Sequence, residues 1–186
     1  RGADLLVWEQ GIRNKEHQIE ISGGTKGIVT FDAIVTSAKV DRHSKFGAVF
    51  DSATWYLINA LSSLRASDGR ILVEGLYDDI LEPSQHELDL VAKHAHIDLE
   101  SLKDLYDLSL PTLASSQGEL ERRLFFEPAL TIEGISSGYL GQGVKTIIPA
   151  TASAKLQERL VPGMDPKKVL AAIEQQLRKK GYDKVT

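Results

Sequence analysis

The sequence predicts an α+β fold in which an antiparallel sheet carries helices on one face. Residues 29–37 alternate between apolar and polar side chains, the pattern of a half-buried strand. An amphipathic helix follows at 51–66, and strand patterns return at 129–135 and 144–161 before a last helix. If a helix-rich stretch is set aside, the order approaches β-α-β-β-α-β, with a final strand barely begun at 183–186. This order is that of a split β-α-β, or ferredoxin-like, two-layer sandwich.

The first seventy residues contain several shorter patterns. An apolar run at 3–9 predicts a buried strand, 10–17 a polar loop, and 18–21 a second extended piece. In the helix over 51–66, Trp55, Ile58, Leu61 and Leu64 recur every three residues, and Leu57 widens the apolar stripe. Asp68-Gly69 predicts a turn, and a short strand follows at 70–73.

Residues 74–128 predict a helical insertion. One helix begins near Pro83-Ser84-Gln85 and runs to about His96, and Asp98 can cap a second helix over 99–106. A third, weaker helix covers 117–126.

The C-terminal third predicts one long strand and one helix. Over 144–161, Arg159 has the parity of the more polar face of the strand. Asp165-Pro166 then starts a helix in a preferred way, with Asp as N-cap and Pro at the first helical position.

Composition excludes several classes of protein. The chain has 186 residues, a net charge of −4 and no cysteine. The acidic balance argues against a nucleic-acid partner, and no apolar run is long enough for a membrane span. Without cysteine there is neither a disulfide framework nor a thiolate metal site. We expect a cytoplasmic protein.

Four short motifs stand in a suggestive order. They are 3–9 (Ala-Asp-Leu-Leu-Val-Trp-Glu), 24–28 (Gly-Thr-Lys-Gly-Ile), 41–44 (Asp-Arg-His-Ser), and the pair 145–149 (Lys-Thr-Ile-Ile-Pro) and 159–162 (Arg-Leu-Val-Pro). Together they resemble the lid, or dimerisation, domain of zinc-dependent exopeptidases and amidohydrolases. That family includes carnosinase-type dipeptidases, carboxypeptidases, aminoacylases and acetylornithine deacetylase. Arg42 departs from the usual Leu, and Asp51-Ser52 stands where Asn-Pro is common.

The resemblance implies roles for three residues. His43 would reach an active site, often that of the other subunit, and donate a hydrogen bond to the scissile carbonyl oxygen. Arg159 would bind a substrate carboxylate through its planar fork, and Thr146 would add a hydroxyl contact. Without the resemblance, these residues read as a local cap, a solvated strand arginine and a β-forming residue.

The resemblance also implies two zinc ions in the whole enzyme, with most ligands on a separate catalytic domain. A hydrolytic zinc needs about three protein ligands and an open position. Here Glu9 is the one plausible ligand, and the family's Glu-Glu pair is absent. His94 and His96 have a spacing that suggests metal binding, but two surface histidines are the better interpretation. We therefore expect this chain to bind no zinc tightly.

These observations divide the chain into a remnant of the catalytic domain at 1–22 and the lid at 23–186, with its insertion at 74–128. We expect a substrate-binding lid that forms a homodimer, contacts its own catalytic domain and binds a peptide or N-acyl amino acid. Alone it should be inactive. A stand-alone dimerising or ligand-binding α+β module without catalysis is the alternative.

Overall fold

The computed structural model describes residues 12–13, 17, 19–20, 24–95 and 97–186. Within these ranges the chain forms seven strands and five α-helices. The strands are β1 (Ile12–Arg13), β2 (Ile19–Glu20), β3 (Gly27–Thr36), β4 (Arg42–His43), β5 (Ala129–Ser137), β6 (Ile147–Ile148) and β7 (Thr151–Leu160). The helices are α1 (Ala53–Ser62), α2 (Gln85–His94), α3 (Leu99–Tyr106), α4 (Gln117–Phe126) and α5 (Pro166–Lys179).

The main sheet is antiparallel, with β7 in the centre and the order β3-β7-β5. The C-terminal tail extends this order beyond β3, because Val185 bridges Val35 and the backbones of Thr186 and Ile34 exchange two hydrogen bonds. The order tail-β3-β7-β5 is that of the split β-α-β sandwich, so the predicted fold class is confirmed.

One face of the sheet forms the hydrophobic core with α1 and α5. Ala33 and Val35 of β3 and alternate residues of β7 are buried there, as the period-two pattern predicts. From the helix layer, Leu57 and Ile173 complete the same core. The opposite face of β7 is open, and it carries Arg159.

The predicted strand over 144–161 is wrong as a single strand. It is two strands, β6 and β7, separated by Pro149 and Ala150. Proline cannot donate to a ladder, and the N–H of Ala150 instead donates to Asp41 Oδ1 at 2.8 Å. Val144 lies outside both strands and is 92% exposed.

The predicted apolar stripe of α1 is only partly correct. The helix begins at Ala53, after Ser52 accepts the N–H of Trp55 as N-cap. Its buried face contains Leu57 and Leu61, whereas Trp55 is 63% exposed and Ile58 38%. A spacing of three drifts around a helix of 3.6 residues per turn, so it does not keep one face.

Two predictions for the N-terminal half of the chain are wrong. The expected strand over 70–73 is a single bridge between Arg65 and Ile71, and the expected loop over 10–17 contains β1, which pairs with β2. The strand expected over 3–9 lies outside the described residues.

The helices of the insertion form where their caps predict them. Ser84 and Glu87 make a reciprocal capping box on α2, and Asp98 caps α3. None of the described side chains of α2, α3 and α4 is buried, so these three helices lie on the surface of the domain. No helix in the described part of the chain is long and apolar enough to cross a membrane.

Candidate functional site

His43 lies at the end of β4, on a two-stranded ladder with β6 in which it faces Ile147. The side chain is exposed, and a short 3₁₀ turn over Ser44–Phe46 follows it. The imidazole Nδ1 accepts the backbone N–H of Lys45 at 3.1 Å. In the neutral ring the proton is then on Nε2. His43 is therefore a local cap and, at the same time, an outward hydrogen-bond donor.

Thr146 lies beside His43. Its carbonyl accepts the N–H of Ser44 at 2.8 Å, which extends the β4–β6 ladder by one step. The residue is exposed, and its hydroxyl makes no hydrogen bond with any described residue. The structure thus brings two of the predicted site residues together at one end of the domain.

Arg42 and Asp41 fix the backbone that carries His43. Arg42 Nη2 donates to Ser37 Oγ at 3.0 Å and to the carbonyl of Asp51 at 3.2 Å, and its guanidinium lies 5.7 Å from the ring centroid of Phe50. The arginine therefore connects the residue that follows β3 to the segment that leads into α1. Asp41, just before β4, bonds to Ala150, which directly precedes β7. The first residue of the 41–44 motif thus has a structural role that sequence reasoning missed.

A cleft of about 340 Å³ opens next to this loop. Its lining includes Ser44, Phe50, Trp55, Ile147 and Pro149. His43 and Thr146 do not line it themselves, but each is the chain neighbour of a lining residue, Ser44 and Ile147 respectively.

Arg159 lies at the other end of the sheet. It is exposed, and on β7 it pairs with Ile28 of β3 and Ala129 of β5. In the amide orientation of Gln157 that satisfies both of its neighbours, its nitrogen donates to Glu133 at 2.7 Å and its oxygen accepts from Arg159 Nε at 2.7 Å. This contact uses Nε, and neither terminal nitrogen of the guanidinium makes a hydrogen bond with a described residue.

A long distance separates Arg159 from the His43 loop. Arg159 is eight residues beyond Thr151, where β7 begins next to the β4–β6 ladder. At a rise of about 3.3 Å per residue, the two ends of β7 are about 26 Å apart. An extended dipeptide spans about 7 Å, much less than this distance. His43 and Arg159 of one chain therefore cannot both contact one small substrate.

Sequence reasoning missed Glu158, next to Arg159. Its side chain is fully buried, and neither carboxyl oxygen has a hydrogen-bond partner among the described residues. Burial raises the pKa of Glu158 to about 8, against a weaker opposing effect of Lys26. Residue 158 has the same parity as the buried residues of β7. The alternation in the sequence therefore already placed an acid on the buried face of this strand.

Comparison with known proteins gives one consistent result. The sequence profile described as a peptidase dimerisation domain, from the M20 peptidases, matches residues 23–185. The chain belongs to this family of dimerisation domains.

Solved structures of the family share the fold. A metallo-carboxypeptidase of the M20 family from Sulfolobus solfataricus aligns over 92% of this chain and 44% of its own, with a TM-score of 0.85 and 31% identity. Human carnosine dipeptidase 1 aligns over 83% of this chain and 33% of its own, with a TM-score of 0.75 and 31% identity.

Curated relatives are named as dipeptidases. The human Beta-Ala-His dipeptidase is 30% identical over 95% of this chain and 34% of its own length. The Cys-Gly metallodipeptidase of Saccharomyces cerevisiae is 28% identical over 81% of this chain and 31% of its own length. The dimerisation domain described here thus spans about a third of the length of these relatives.

The described residues of this dimerisation domain do not fit a metal centre. No three His, Asp or Glu side chains within the described ranges gather into a group that could hold an ion. Glu9, the expected ligand, lies outside those ranges, as does His96. One His-x-Asp triplet occurs at 96–98, but its Asp98 caps α3 through the N–H of Ser101. His94 is exposed at the end of α2.

Proposed function

We propose that this domain is the dimerising, substrate-binding lid of a metal-dependent peptidase of the dipeptidase or carboxypeptidase type, acting on a peptide or N-acyl amide bond. Family membership and the names of the relatives support this reading. Residues 1–22 would connect the lid, at 23–186, to a separate catalytic domain. The lack of cysteine is compatible with a cytoplasmic location, which we include in the proposal.

His43 would stabilise the negative charge that develops on the scissile carbonyl oxygen. The support is its geometry: the contact with Lys45 fixes Nδ1 as the acceptor and leaves the proton on Nε2. An oriented donor of this kind is worth about 10²–10³ in rate. Thr146, next to it, would offer its hydroxyl to the substrate backbone.

Arg159 would bind the C-terminal carboxylate of the substrate. Its exposed fork can make two charge-assisted hydrogen bonds to a carboxylate. Gln157 would hold the guanidinium in place through Nε. This assignment favours substrates with a free C-terminus.

The proposal rests mainly on the distance between His43 and Arg159. Because about 26 Å of strand lies between the His43 loop and Arg159, one active site would take Arg159 from one subunit and His43 from its partner. A two-fold dimer supplies both combinations, since each subunit gives and receives the same residues.

The helix α1 and the free edge of β5 would form the dimer contact. Trp55 and Ile58 are exposed on α1 beside Ser137 of β5, whose hydroxyl is 2.7 Å from that of Thr54. No described strand pairs with the outer edge of β5. An unpaired edge beside exposed apolar side chains suits pairing with a second copy of the chain.

The metal would be held elsewhere. Since the described residues of the lid do not form a site, we propose that two zinc ions bind the catalytic domain, where they would activate the attacking water. The lid would contribute only the hydrogen-bond donor, His43, and the residue that binds the substrate carboxylate, Arg159.

The test compares this chain with a full-length protein that contains it, both with added zinc, on dipeptides with free and amidated C-termini. We expect turnover by the full-length protein, a preference for the free carboxylate, and none by the chain alone. Metal-dependent turnover that purifies with the chain alone would contradict the proposal. An inactive full-length dimer would favour the alternative, a dimerising or ligand-binding module.

A further inference from the structure

A second cavity lies away from His43 and Thr146, and Arg159 is not among its lining residues, although Ala129, the ladder partner of Arg159, is. It occupies about 490 Å³ between the 65–70 turn, the 77–83 segment and the junction of α4 with β5. Tyr77 and Phe126 give it aromatic walls. Its volume is in the range that binds small organic molecules, about 300–1,000 Å³.

Four arginines line this cavity, and two of them are already neutralised. Arg122 lies 3.3 Å from both Glu82 and Glu127. Arg123 pairs with Glu119 at 2.8 Å. These contacts account for two of the three acidic residues in the lining.

The other two arginines have no such partners. No described carboxylate lies within 4 Å of the guanidinium of Arg65 or Arg70, and neither side chain makes a hydrogen bond with a described residue. Asp68, the third acid of the lining, instead accepts the backbone N–H of Arg70 at 2.9 Å. The cavity is thus lined by two exposed guanidinium groups that have no direct ion-pair partner among the described residues.

Two guanidinium groups converge at Gly69. A Cβ placed on this residue would lie 3.4 Å from Arg65 Nη2 and 3.4 Å from Arg123 Nη1. Arg123 is fixed there, because Nη1 donates to the carbonyl of Asp68 at 3.1 Å. Arg123 is paired with Glu119, whereas Arg65 has no carboxylate partner among the described residues. An anion near Gly69 would give Arg65 such a partner and could accept hydrogen bonds from both guanidinium groups.

We propose that this cavity binds a small organic anion, a carboxylate or phosphate group carried on an apolar or aromatic body. Arg65 and Arg70 would hold the anionic group, with Arg123 as a fixed third donor. Tyr77 and Phe126 would contact the body. None of the residues assigned to substrate or oxyanion binding lines this cavity, although Arg159 is next to it through its ladder partner Ala129. The proposal does not require the peptidase activity.

The test is a titration of this chain at low salt with phenyl phosphate, benzoate and inorganic phosphate, followed by amide NMR shifts. Benzyl alcohol is the neutral control probe. We expect saturable shifts centred on Gly69 and Phe126 with at least one aromatic anion, and weaker binding of inorganic phosphate and benzyl alcohol. The stronger of phenyl phosphate and benzoate identifies the anionic group.

Variants locate the binding. Arg65→Gln and Arg70→Gln should each weaken it about ten-fold or more, as expected for loss of a charged hydrogen-bond partner. Arg178→Gln, at an exposed ion pair on α5, is the matched control and should bind as the original chain does. Thermal melts report folding, and Arg65→Lys, which keeps the charge but not the fork, should also weaken binding. Absence of saturable shifts, or equal binding by the Arg65 variants, would overturn the proposal.

Discussion

The imidazole Nδ1 of His43 accepts the backbone N–H of Lys45 at 3.1 Å. This hydrogen bond orients the ring and selects the tautomer with the proton on Nε2. The same contact therefore makes His43 the cap of the 3₁₀ turn that follows it. It also leaves the Nε2–H of the ring to donate to a group outside that turn.

Replacement of His43 should slow the chemical step in the full-length protein. We expect His43→Ala to lower kcat by about 10²–10³, because an oxyanion donor acts mainly in the transition state. His43→Asn should keep the cap, since Asn is a good N-cap residue, and should lose a similar amount of kcat. Steady-state kinetics and thermal melts on both variants separate catalysis from folding. A normal kcat in a folded variant would rule out the donor role.

Replacement of Arg159 should weaken substrate binding. Loss of a charged hydrogen-bond partner costs about 1.5–3 kcal/mol, so Arg159→Ala should raise KM about ten- to a hundred-fold for substrates with a free carboxylate. Amidated substrates should show little change. Lys155→Ala is the control, since Lys155 lies on the same face of β7 in an exposed pair with Asp32. If Arg159→Ala keeps the free-carboxylate preference, the assignment is wrong.

Glu158 should make the domain less stable as the pH rises. Burial raises its pKa from 4.5 to about 8 in the folded state, so the unfolded chain loses this proton first. The free energy of unfolding should therefore fall between about pH 4.5 and 8, by up to about 1.4 kcal/mol per pH unit from this group.

Glu158→Gln should remove this slope, because the amide does not ionise. Urea denaturation at about pH 5, 6.5 and 8 measures the change across this window. Glu133→Gln, at an exposed site on β5, should leave the slope as it is. An unchanged slope in Glu158→Gln would show that the carboxyl is not buried as described.

Self-association should depend on α1. We expect Trp55→Ser to shift the dimer toward monomer, because it removes an aromatic side chain from the proposed contact. Leu110→Ser is the control, since Leu110 is 80% exposed but belongs to the insertion. Light scattering over a range of concentrations measures the effect. Equal dimerisation by both variants would remove α1 from the contact.

Local patterns predicted the fold class well. The alternation of β3 and the caps Ser84, Asp98 and Asp165 each act through neighbours in the chain, and each element forms where expected. The errors arose where tertiary contacts decide. Asp41 bonds to Ala150 from more than a hundred residues away, and that contact accompanies the break in the predicted long strand.

The sequence motifs supplied the candidate residues of the site but not their arrangement in space. The motifs indicated His43, Thr146 and Arg159, and the structure places the first two together. Sequence spacing alone did not show that Arg159 lies a full strand away, because that follows from the position of β6 and β7 in the fold. Glu158 was missed because an acid on a buried face contradicts the usual pattern.

The central claim is that one active site takes Arg159 from one subunit and His43 from the other. Full-length His43→Ala and Arg159→Ala dimers, each nearly inactive at substrate concentrations well below KM, are dissociated, mixed, reassociated and assayed at such a concentration. Half of the dimers become mixed, and one of their two sites then has both residues intact. Activity should therefore recover to about a quarter of the original level. If the mixed sample stays as inactive as its two parents, while light scattering shows that subunits have exchanged, both residues act within one subunit and the account is contradicted.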